Sequence, residues 1–446
     1  MFNQPLLRLA ALALLLSACA QFQPLNLALT PAQRESQQQV IQQLLAQPLQ
    51  SDEAVQLALL NSPSLQALLA QHLADLSDAA QQGRIRNPLL SLDKLRMGSE
   101  LEIGRMVSFG LFDLLSLPQR QAVADQRVAQ ETLRLSTTVV EHINQVRLAW
   151  VKAVAAQQQL QYANQVLEAA QASHSLAHKM LTAGNFSKLQ YARQQAFELD
   201  AQAEALAALQ AQVASREHLV RLLGLNDTQA YSLVLPSRLP ELPPQSLAPE
   251  VIAAHVRSDR LDVRLAQSRF DALAQAQGYT TLSSYSDIEL GIRRDSVFNN
   301  ANASAAARRG VEINMRLPVF DWGNLQRQSL QAQTLAAGYT VEATLVQASS
   351  HVRQAYGAYL NAFELVSHYQ QAVLPLRKAI SEEQLLRYNG MFLSVFDLLA
   401  DSREHIGTVR MALTAQEQFW LAEAGLQAAL MGLPNATAAR TEGEPR

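Results

Sequence analysis

The chain has 446 residues and a mass of 49.0 kDa, long enough for two or three ordinary domains. Only 17% of the residues are charged and 6% are aromatic, and alanine, glutamine and leucine dominate, which favours long helices over compact globules. The net charge of −3 comes without a basic cluster, which argues against nucleic acid as a partner. The single cysteine excludes an internal disulfide and a cysteine-based metal site within one chain.

The first residues have the pattern of an export signal. Arg8 precedes an apolar run that is too short to span a membrane as a mature helix, so residues 1–18 are predicted to be a signal peptide. Leu16-Ser17-Ala18-Cys19 resembles the bacterial lipobox, in which the cysteine becomes the acylated first residue of the mature protein. Lipidation of Cys19 is the expectation, and an ordinary signal peptide cleaved nearby is the alternative. Ala20 rather than aspartate follows, so by resemblance to the usual sorting rule inner-membrane retention is not indicated.

A lipidated tether containing a short helix is predicted over residues 19–50. A helix from Ser51 to about Arg86, kinked by Pro63, should begin a first repeat that covers residues 51–224. Two short strands follow, with a turn at Met97-Gly98-Ser99.

The second of these strands alternates at period two. One face is apolar and the other polar, with the apolar side chains Leu101, Ile103, Val107 and Phe109 opposing Glu100, Glu102, Gly104 and Ser108. This pattern is typical of a transmembrane barrel strand, and an ordinary soluble hairpin is the alternative.

A helix of more than sixty residues is predicted from about Gln119 to Thr182. Its heptad repeat places one register at Val139, Val146, Ala153, Leu160, Leu167, His174 and Leu181, beside Ala149, Ala156, Ala163, Ala170 and Ala177. A seam sustained over this many heptads predicts a coiled coil, and its alanines let a neighbouring helix approach closely. A turn at Gly184, a helix over about 188–223 ended by Gly224, and a proline-rich linker over 225–248 should follow.

The same order is predicted again over residues 249–433. The heptad seam recurs 206 residues later, with Val352 in the place of Val146 and Ala355 in the place of Ala149. Two further alternating strands should flank a loop over about 296–308. A second long helix should open at Pro318–Gly323 and bend at Pro375, and the tail over 434–446 is predicted to be disordered.

The element lengths indicate the architecture. A helix of sixty residues is about 90–100 Å long, and two shorter helices stacked end to end match it. Four strands cannot close a barrel, because the smallest bacterial barrels have about eight and lipid does not tolerate an open sheet edge. The predicted fold is therefore mainly α with a minor membrane β part. It is a long coiled-coil helical barrel plus four strands per chain, with a homotrimer forming a 12-stranded β-barrel and a periplasmic tunnel.

The sequence resembles the TolC-type outer-membrane efflux family over nearly all of the mature chain. The resemblance rests on the doubled element order and on four short motifs: Leu317–Gly323, Leu222–Leu225, Arg257–Arg260, and Tyr388-Asn389-Gly390 with Ser394. It implies a trimeric, outer-membrane channel-tunnel that docks on a periplasmic adaptor protein and an inner-membrane transporter.

The resemblance also implies functional residues. The two helical turns would contact the adaptor through Gly184, Asn185, Phe186, Ser187, Gly390, Met391, Phe392 and Ser394. Asp397 sits where the family has an inward aspartate ring at the tunnel entrance, and Asp401 lies one helical turn further on. Three copies of these carboxylates would make the constriction charge-selective. The alternative for both is an ordinary solvated helix start.

No cofactor, metal site or enzymatic activity is predicted. The chain contains no G-x-S-x-G, H-E-x-x-H or phosphate-binding loop. His174 and His178 have a spacing that can bind a metal on a helix, but a polar interruption in the seam is the favoured interpretation.

Two functions remain open. The leading hypothesis is an outer-membrane channel-tunnel of a tripartite efflux system, lipid-anchored and extending into the periplasm, that passively conducts substrates. The alternative is a periplasmic coiled-coil lipoprotein that acts as a spacer or adaptor, without a pore.

Overall fold

A computed structural model describes residues 31–98, 100–248, 260–283, 288–299, 304–315, 320 and 322–433. Several predicted features lie outside these ranges: the signal peptide, Cys19, the start of the second repeat at residues 249–259, most of the junction at 316–321, and the tail. The chain divides into two compact units. Helix α1 (Pro31–Leu45), the short helix expected in the tether, lies almost entirely in the first unit, and the second unit begins at Leu45 and holds the other elements that the structure describes.

The first half of the larger unit contains helices α2 (Ser51–Asn61) and α3 (Pro63–Gln82), strands β1 (Leu89–Met97) and β2 (Glu100–Gly110), and helices α4 (Leu111–Leu115), α5 (Leu117–Thr182), α6 (Lys188–Leu223) and α7 (Asp227–Ser232). The 66 residues of α5 confirm the predicted long helix. The single kinked helix predicted from Ser51 is wrong. Because Pro63 disfavours a helical conformation at the residue before it, the chain breaks at Ser62, whose side chain caps the new helix.

The second half contains α8 (Leu261–Ser283), β3 (Ile288–Asn299), β4 (Ser304–Met315), α9 (Asn324–His368), a π-helical turn (Tyr369–Val373), α10 (Leu374–Asn389) and α11 (Val395–Met431). The loop predicted over about 296–308 is too long, because β3 and β4 pair in continuous register up to Asn299 and Ser304, and residues 300–303 lie outside the described ranges. Backbone hydrogen bonding between the strands holds residues 304–307 extended although their side chains are small. Within the described ranges, no helix combines the length and the apolarity needed to cross a bilayer.

The alanine layer of the heptad seam is where α5 meets its neighbours. Ala149, Ala156, Ala163, Ala170 and Ala177 are all buried. Ala170 packs with Ala201 of α6, so the small side chains bring the two helix backbones close together, as the heptad pattern predicts. In the second half, the buried rings of Tyr359 on α9 and Phe419 on α11 lie 5.6 Å apart at the centre of a larger apolar cluster.

The shorter helices stack end to end, as predicted. Both α3 and α6 pack on α5, and the end of α6 at Gly224 meets the start of α3. The Asn61 side-chain amide donates hydrogen bonds to the carbonyl oxygens of Leu223 and Gly224, at 3.1 and 2.8 Å. On α9, the end of α11 at Gly432 likewise meets the start of α8 at Asp262. Each long helix is therefore flanked by two shorter helices.

Arg260 stabilises the junction between the end of α11 and the start of α8. Its side chain is 1% exposed and donates to the carbonyl oxygens of Ala429 on α11 (2.6 Å) and Ala348 on α9 (3.3 Å). The same guanidinium group makes two hydrogen bonds to the Asp262 carboxylate. A planar cation with five donors is suited to join three helices in this way.

The proline-rich segment over 225–248 packs onto the helices. Leu233, Leu235 and Leu239 are buried, and the Trp420 indole nitrogen donates to the Pro240 carbonyl oxygen at 3.2 Å. The Tyr356 hydroxyl donates to the Leu247 carbonyl oxygen at 3.0 Å. The segment is therefore part of the packed unit.

A π-helical turn stands where a bend at Pro375 is predicted. In a regular α-helix the proline ring would clash with the carbonyl of the residue four positions earlier, and proline has no N–H to donate. Here the Leu374 N–H donates to the carbonyl oxygen of Tyr369, five residues back, which widens the helix immediately before Pro375.

The four strands form one antiparallel sheet in the order β1-β2-β3-β4. The two hairpins, from opposite halves of the chain, are joined through β2 and β3. Within the described residues, β1 and β4 each pair on one side only. The predicted mainly α fold with four β-strands is thereby confirmed.

Candidate functional site

The sheet has two chemically different faces, which we call the exposed face and the covered face. The exposed face carries an apolar row that runs across all four strands in register: Leu90, Val107, Ile292 and Val311. These side chains are between 44% and 72% exposed. On the covered face of the same central strands, Ser108 is 3% and Asp295 is 8% exposed. The exposed face is therefore apolar along these rows, whereas the covered face of the central strands buries polar groups; an apolar outer face opposite a polar inner face is the arrangement of a barrel wall in lipid.

The covered face holds an ion-pair network. The Arg293 guanidinium group contacts the carboxylates of Asp93 and Asp295, each at 2.9 Å. Gly104 lies beneath Asp93, and a Cβ at this position would come within 2.1 Å of the Asp93 carboxylate oxygen. Because Gly104 has no side chain, Asp93 on β1 and Arg293 on β3 can form an ion pair across β2.

The first helical turn, between α5 and α6, is closed by Gly184 in the left-handed conformation (φ 76°). The Asn185 N–H donates to the Met180 carbonyl oxygen at 2.8 Å, and Ser187 caps α6. Phe186, predicted to contact an adaptor, is 5% exposed and stacks on Phe396 of α11, with the ring centroids 4.6 Å apart. Phe186 thus holds the two turns together.

The second turn has its left-handed residue one position later than the repeat offset predicts. Gly390 has φ −77°, and Met391 has φ 62°. The Phe392 N–H donates to the Arg387 carbonyl oxygen at 2.9 Å, the same five-residue span that Asn185 makes in the first turn. The extra residue before Ser394 shifts the turn, so Met391 occupies the position that Gly184 fills. Met391 and Phe392 are 93% and 87% exposed.

The two aspartates of the predicted gate have different surroundings. Asp397 is exposed, and Ser394 both donates its hydroxyl to the Asp397 carboxylate (2.6 Å) and accepts the Asp397 N–H (3.3 Å). Asp401 is buried, where it accepts hydrogen bonds from Arg377 (3.3 Å) and Ser381 (2.7 Å) on α10. Arg377 also pairs with Glu404. The Asp401 charge is therefore neutralised within the chain, whereas the Asp397 carboxylate faces solvent.

The two histidines with metal-binding spacing both contact Tyr191. His174 is hydrogen bonded on both ring nitrogens, to Glu198 and to the Tyr191 hydroxyl (3.0 Å), and the His178 ring packs against Tyr191. His174 is therefore a polar, hydrogen-bonded member of the seam.

The sequence did not predict the side chains that hold Asp401 and Phe186 in place. Arg377 lies 24 residues before Asp401 in the chain. Phe396 lies 210 residues after Phe186. The only local signal for Arg377 is a basic side chain on the helix that precedes the turn, and contact across the turn depends on the packing of α10 against α11.

The sequence matches no protein-family model and no curated protein. Its structure is similar to that of solved membrane proteins. A membrane protein from Pseudomonas aeruginosa has a TM-score of 0.72 at 20% identity, over 85% of this chain and 93% of that one. The outer membrane protein VceC from Vibrio cholerae has a TM-score of 0.71 at 17% identity, over 88% and 99%. The outer-membrane channel MtrE of Neisseria gonorrhoeae, solved in its open state, has a TM-score of 0.67 at 19% identity, over 87% and 90%.

These matches cover most of both chains in each comparison. The chain therefore has the TolC-type outer-membrane factor fold, which confirms the resemblance found in the sequence.

Proposed function

We propose that this protein is the outer-membrane channel-tunnel of a tripartite efflux system. It would conduct substrates passively from a periplasmic adaptor protein and an inner-membrane transporter across the outer membrane, with no enzymatic step and no cofactor. The observation that carries the proposal is a four-stranded antiparallel sheet, with apolar rows on its exposed face and buried polar groups on its covered face, attached to long helices.

A homotrimer supplies what one chain lacks. In the described structure β1 and β4 leave one edge each without a strand partner, and lipid strongly disfavours such edges. Pairing β4 of one protomer with β1 of the next would close twelve strands. Leu199, Leu206 and Val213 recur every seven residues along α6. They are exposed in the single chain and would pack against a neighbouring protomer.

The adaptor would dock at the two helical turns. Met391 and Phe392 form an exposed apolar pair, and exposed apolar patches mark interaction sites. The proposed contact set also includes Gly184, Asn185, Ser187, Gly390 and Ser394, with Phe186 supporting the turn from beneath. Lipidation of Cys19 would anchor each chain to the outer membrane.

The tunnel entrance would be controlled by Asp397 and Asp401 in different ways. The exposed Asp397 carboxylates of three protomers would attract cations and repel each other. The buried pair of Asp401 with Arg377 would hold α11 against α10.

Purification from the outer-membrane fraction and recording in planar bilayers test the proposed function. A channel should be a heat-resistant trimer that conducts ions. A spacer lipoprotein would be recovered, once its lipid is removed, as an elongated soluble oligomer without conductance, and that result would overturn the proposal.

Single-channel recordings of Asp397→Ala test the gate. We expect higher conductance and weaker block by divalent cations, because the carboxylate ring is removed. Asp227→Ala, an exposed aspartate on α7, serves as the control of equal charge change. Unchanged conductance and unchanged block in Asp397→Ala would remove Asp397 from the gate.

A further inference from the structure

Three arginines stand side by side on the exposed face of the sheet. Arg105 on β2 pairs in register with Arg294 on β3, which pairs with Arg309 on β4. Since neighbouring strands lie about 4.8 Å apart, the three Cα atoms fall within about 10 Å of each other. All three side chains are exposed. Like charges directly opposite each other destabilise a sheet unless an anion lies between them.

No anion on the protein fills this role in the described strands. The register places every acidic residue of the four strands on the covered face: Asp93, Glu100, Glu102, Glu289, Asp295 and Glu312. The exposed face holds five of the seven basic residues, because Lys94 and Arg96 on β1 join the three arginines. Charge therefore differs between the faces of the described strands: every acidic side chain lies on the covered face, and most basic side chains lie on the exposed face.

The arginine row also marks a boundary along the strands. Towards the helices, the exposed face is apolar without interruption, through the row of Val107 and then the row of Phe109, Leu290 and Ile313. Towards the hairpin ends, the polar side chains of Lys94, Arg96 and Ser296 lie between the remaining apolar side chains. An arginine facing lipid is tolerated at the membrane interface and is costly at the bilayer midplane. The row is therefore expected at the level of the lipid headgroups.

We propose that Arg105, Arg294 and Arg309 form a binding site for the phosphate groups of an anionic outer-leaflet glycolipid. The guanidinium group matches a phosphate geometrically and makes charge-assisted hydrogen bonds to it. A lipid with two phosphate groups on one headgroup can bridge the row while its acyl chains cover the apolar rows below. This inference rests on the proposed function, since it requires the exposed face to lie in a membrane.

Native mass spectrometry of the purified trimer with added lipid A, the bis-phosphorylated glycolipid, tests the site. Lipid A should be retained by the wild-type protein, and the variant R105Q/R294Q/R309Q should retain about tenfold less, the loss expected when charged hydrogen bonds are removed. Monophosphorylated lipid A should be retained more weakly than lipid A, and inorganic phosphate should not displace it.

A matched pair of single variants provides the control. Arg308 and Arg309 are adjacent and exposed, but Arg308 pairs with Asp295 on the covered face. We expect R309Q to lower lipid A retention and R308Q to leave it unchanged. Equal retention by these two variants, or full retention by the triple variant, would overturn the site. Conductance of the same preparations separates the two proposals, since a protein that conducts without preferring lipid A keeps the channel role and loses this site.

Discussion

Met391 adopts the left-handed conformation because the second helical turn is shifted by one residue. A left-handed conformation costs a residue other than glycine about 1–2 kcal/mol, and replacing such a residue by glycine adds about 0.5–1 kcal/mol of unfolded-state entropy. Because the Met391 side chain is 93% exposed, little packing would be lost. We therefore expect Met391→Gly to stabilise the fold by about 0.5 kcal/mol in denaturant unfolding.

Met391→Ala is the control for this prediction, since it removes the same side chain and keeps the left-handed strain. It should not stabilise the protein. A destabilised Met391→Gly variant would show that the turn does not hold this conformation in solution.

The contribution of Glu417 to the stability of the fold depends on pH. Burial raises its pKa, and the Gln159 amide, which donates to the carboxylate at 3.0 Å, offsets only part of the effect. Because the folded pKa lies above the unfolded value of about 4.3, the stability that Glu417 contributes is complete below that pH. It is lost as pH rises through the folded pKa.

At pH 7 Glu417→Gln should therefore raise the melting temperature, by about 2 °C. The gain should vanish below about pH 4, where the wild-type carboxyl is protonated as well. Glu342→Gln, on the exposed surface of α9, should show no such dependence. A gain that stayed constant from pH 4 to pH 7 would exclude burial of the Glu417 charge as its cause.

At the scale of elements, the end-to-end junction of α6 and α3 depends on Gly224. The residue has φ 67°, and a Cβ there would lie 2.4 Å from Pro63 Cδ and 2.6 Å from the Asn61 carbonyl oxygen. Gly224→Ala should destabilise the protein by about 3 kcal/mol, which combines the left-handed penalty with overpacking.

Gly184→Ala separates these two costs. Gly184 is also left-handed (φ 76°), but no atom lies within 4 Å of a Cβ built there. Its substitution should cost only about 1 kcal/mol in the same unfolding measurement. Equal effects of the two substitutions would show that the junction is not closely packed around Gly224.

At the scale of the whole molecule, the two faces of the sheet predict how the trimer tolerates charge. Ile313 lies on the exposed face of β4, and Asn314 follows it on the covered face. Ile313→Arg should lower the yield of membrane-inserted trimer, because arginine in lipid costs about 2–4 kcal/mol at the bilayer midplane. Asn314→Arg should insert normally and change conductance instead. The measurements are heat-resistant trimer in the outer-membrane fraction and single-channel current, and the opposite outcome would reverse the two faces.

Residue spacing alone predicts the main elements and their order. Seven-residue spacing defined α5, with its buried alanine layer, and period-two alternation defined the faces of β2, because helix and strand geometry repeat at these fixed intervals. Element lengths were enough to predict that short helices stack along a long one. The ends of elements were predicted less well. The helix break at Ser62 and the extended length of strands β3 and β4 both differ from the prediction.

Which side chains contact each other follows from the packing of the elements in three dimensions. The pairing of Asp401 with Arg377, of Phe186 with Phe396 and of Arg105 with Arg294 depends on contacts between elements far apart in the chain. A periodic pattern specifies the face on which a residue lies, but the register between two elements is fixed by packing and backbone hydrogen bonds across the whole interface. The burial of Asp401 and the exposure of the arginine row both follow from the way two elements are aligned. The sequence of one element alone does not specify that alignment.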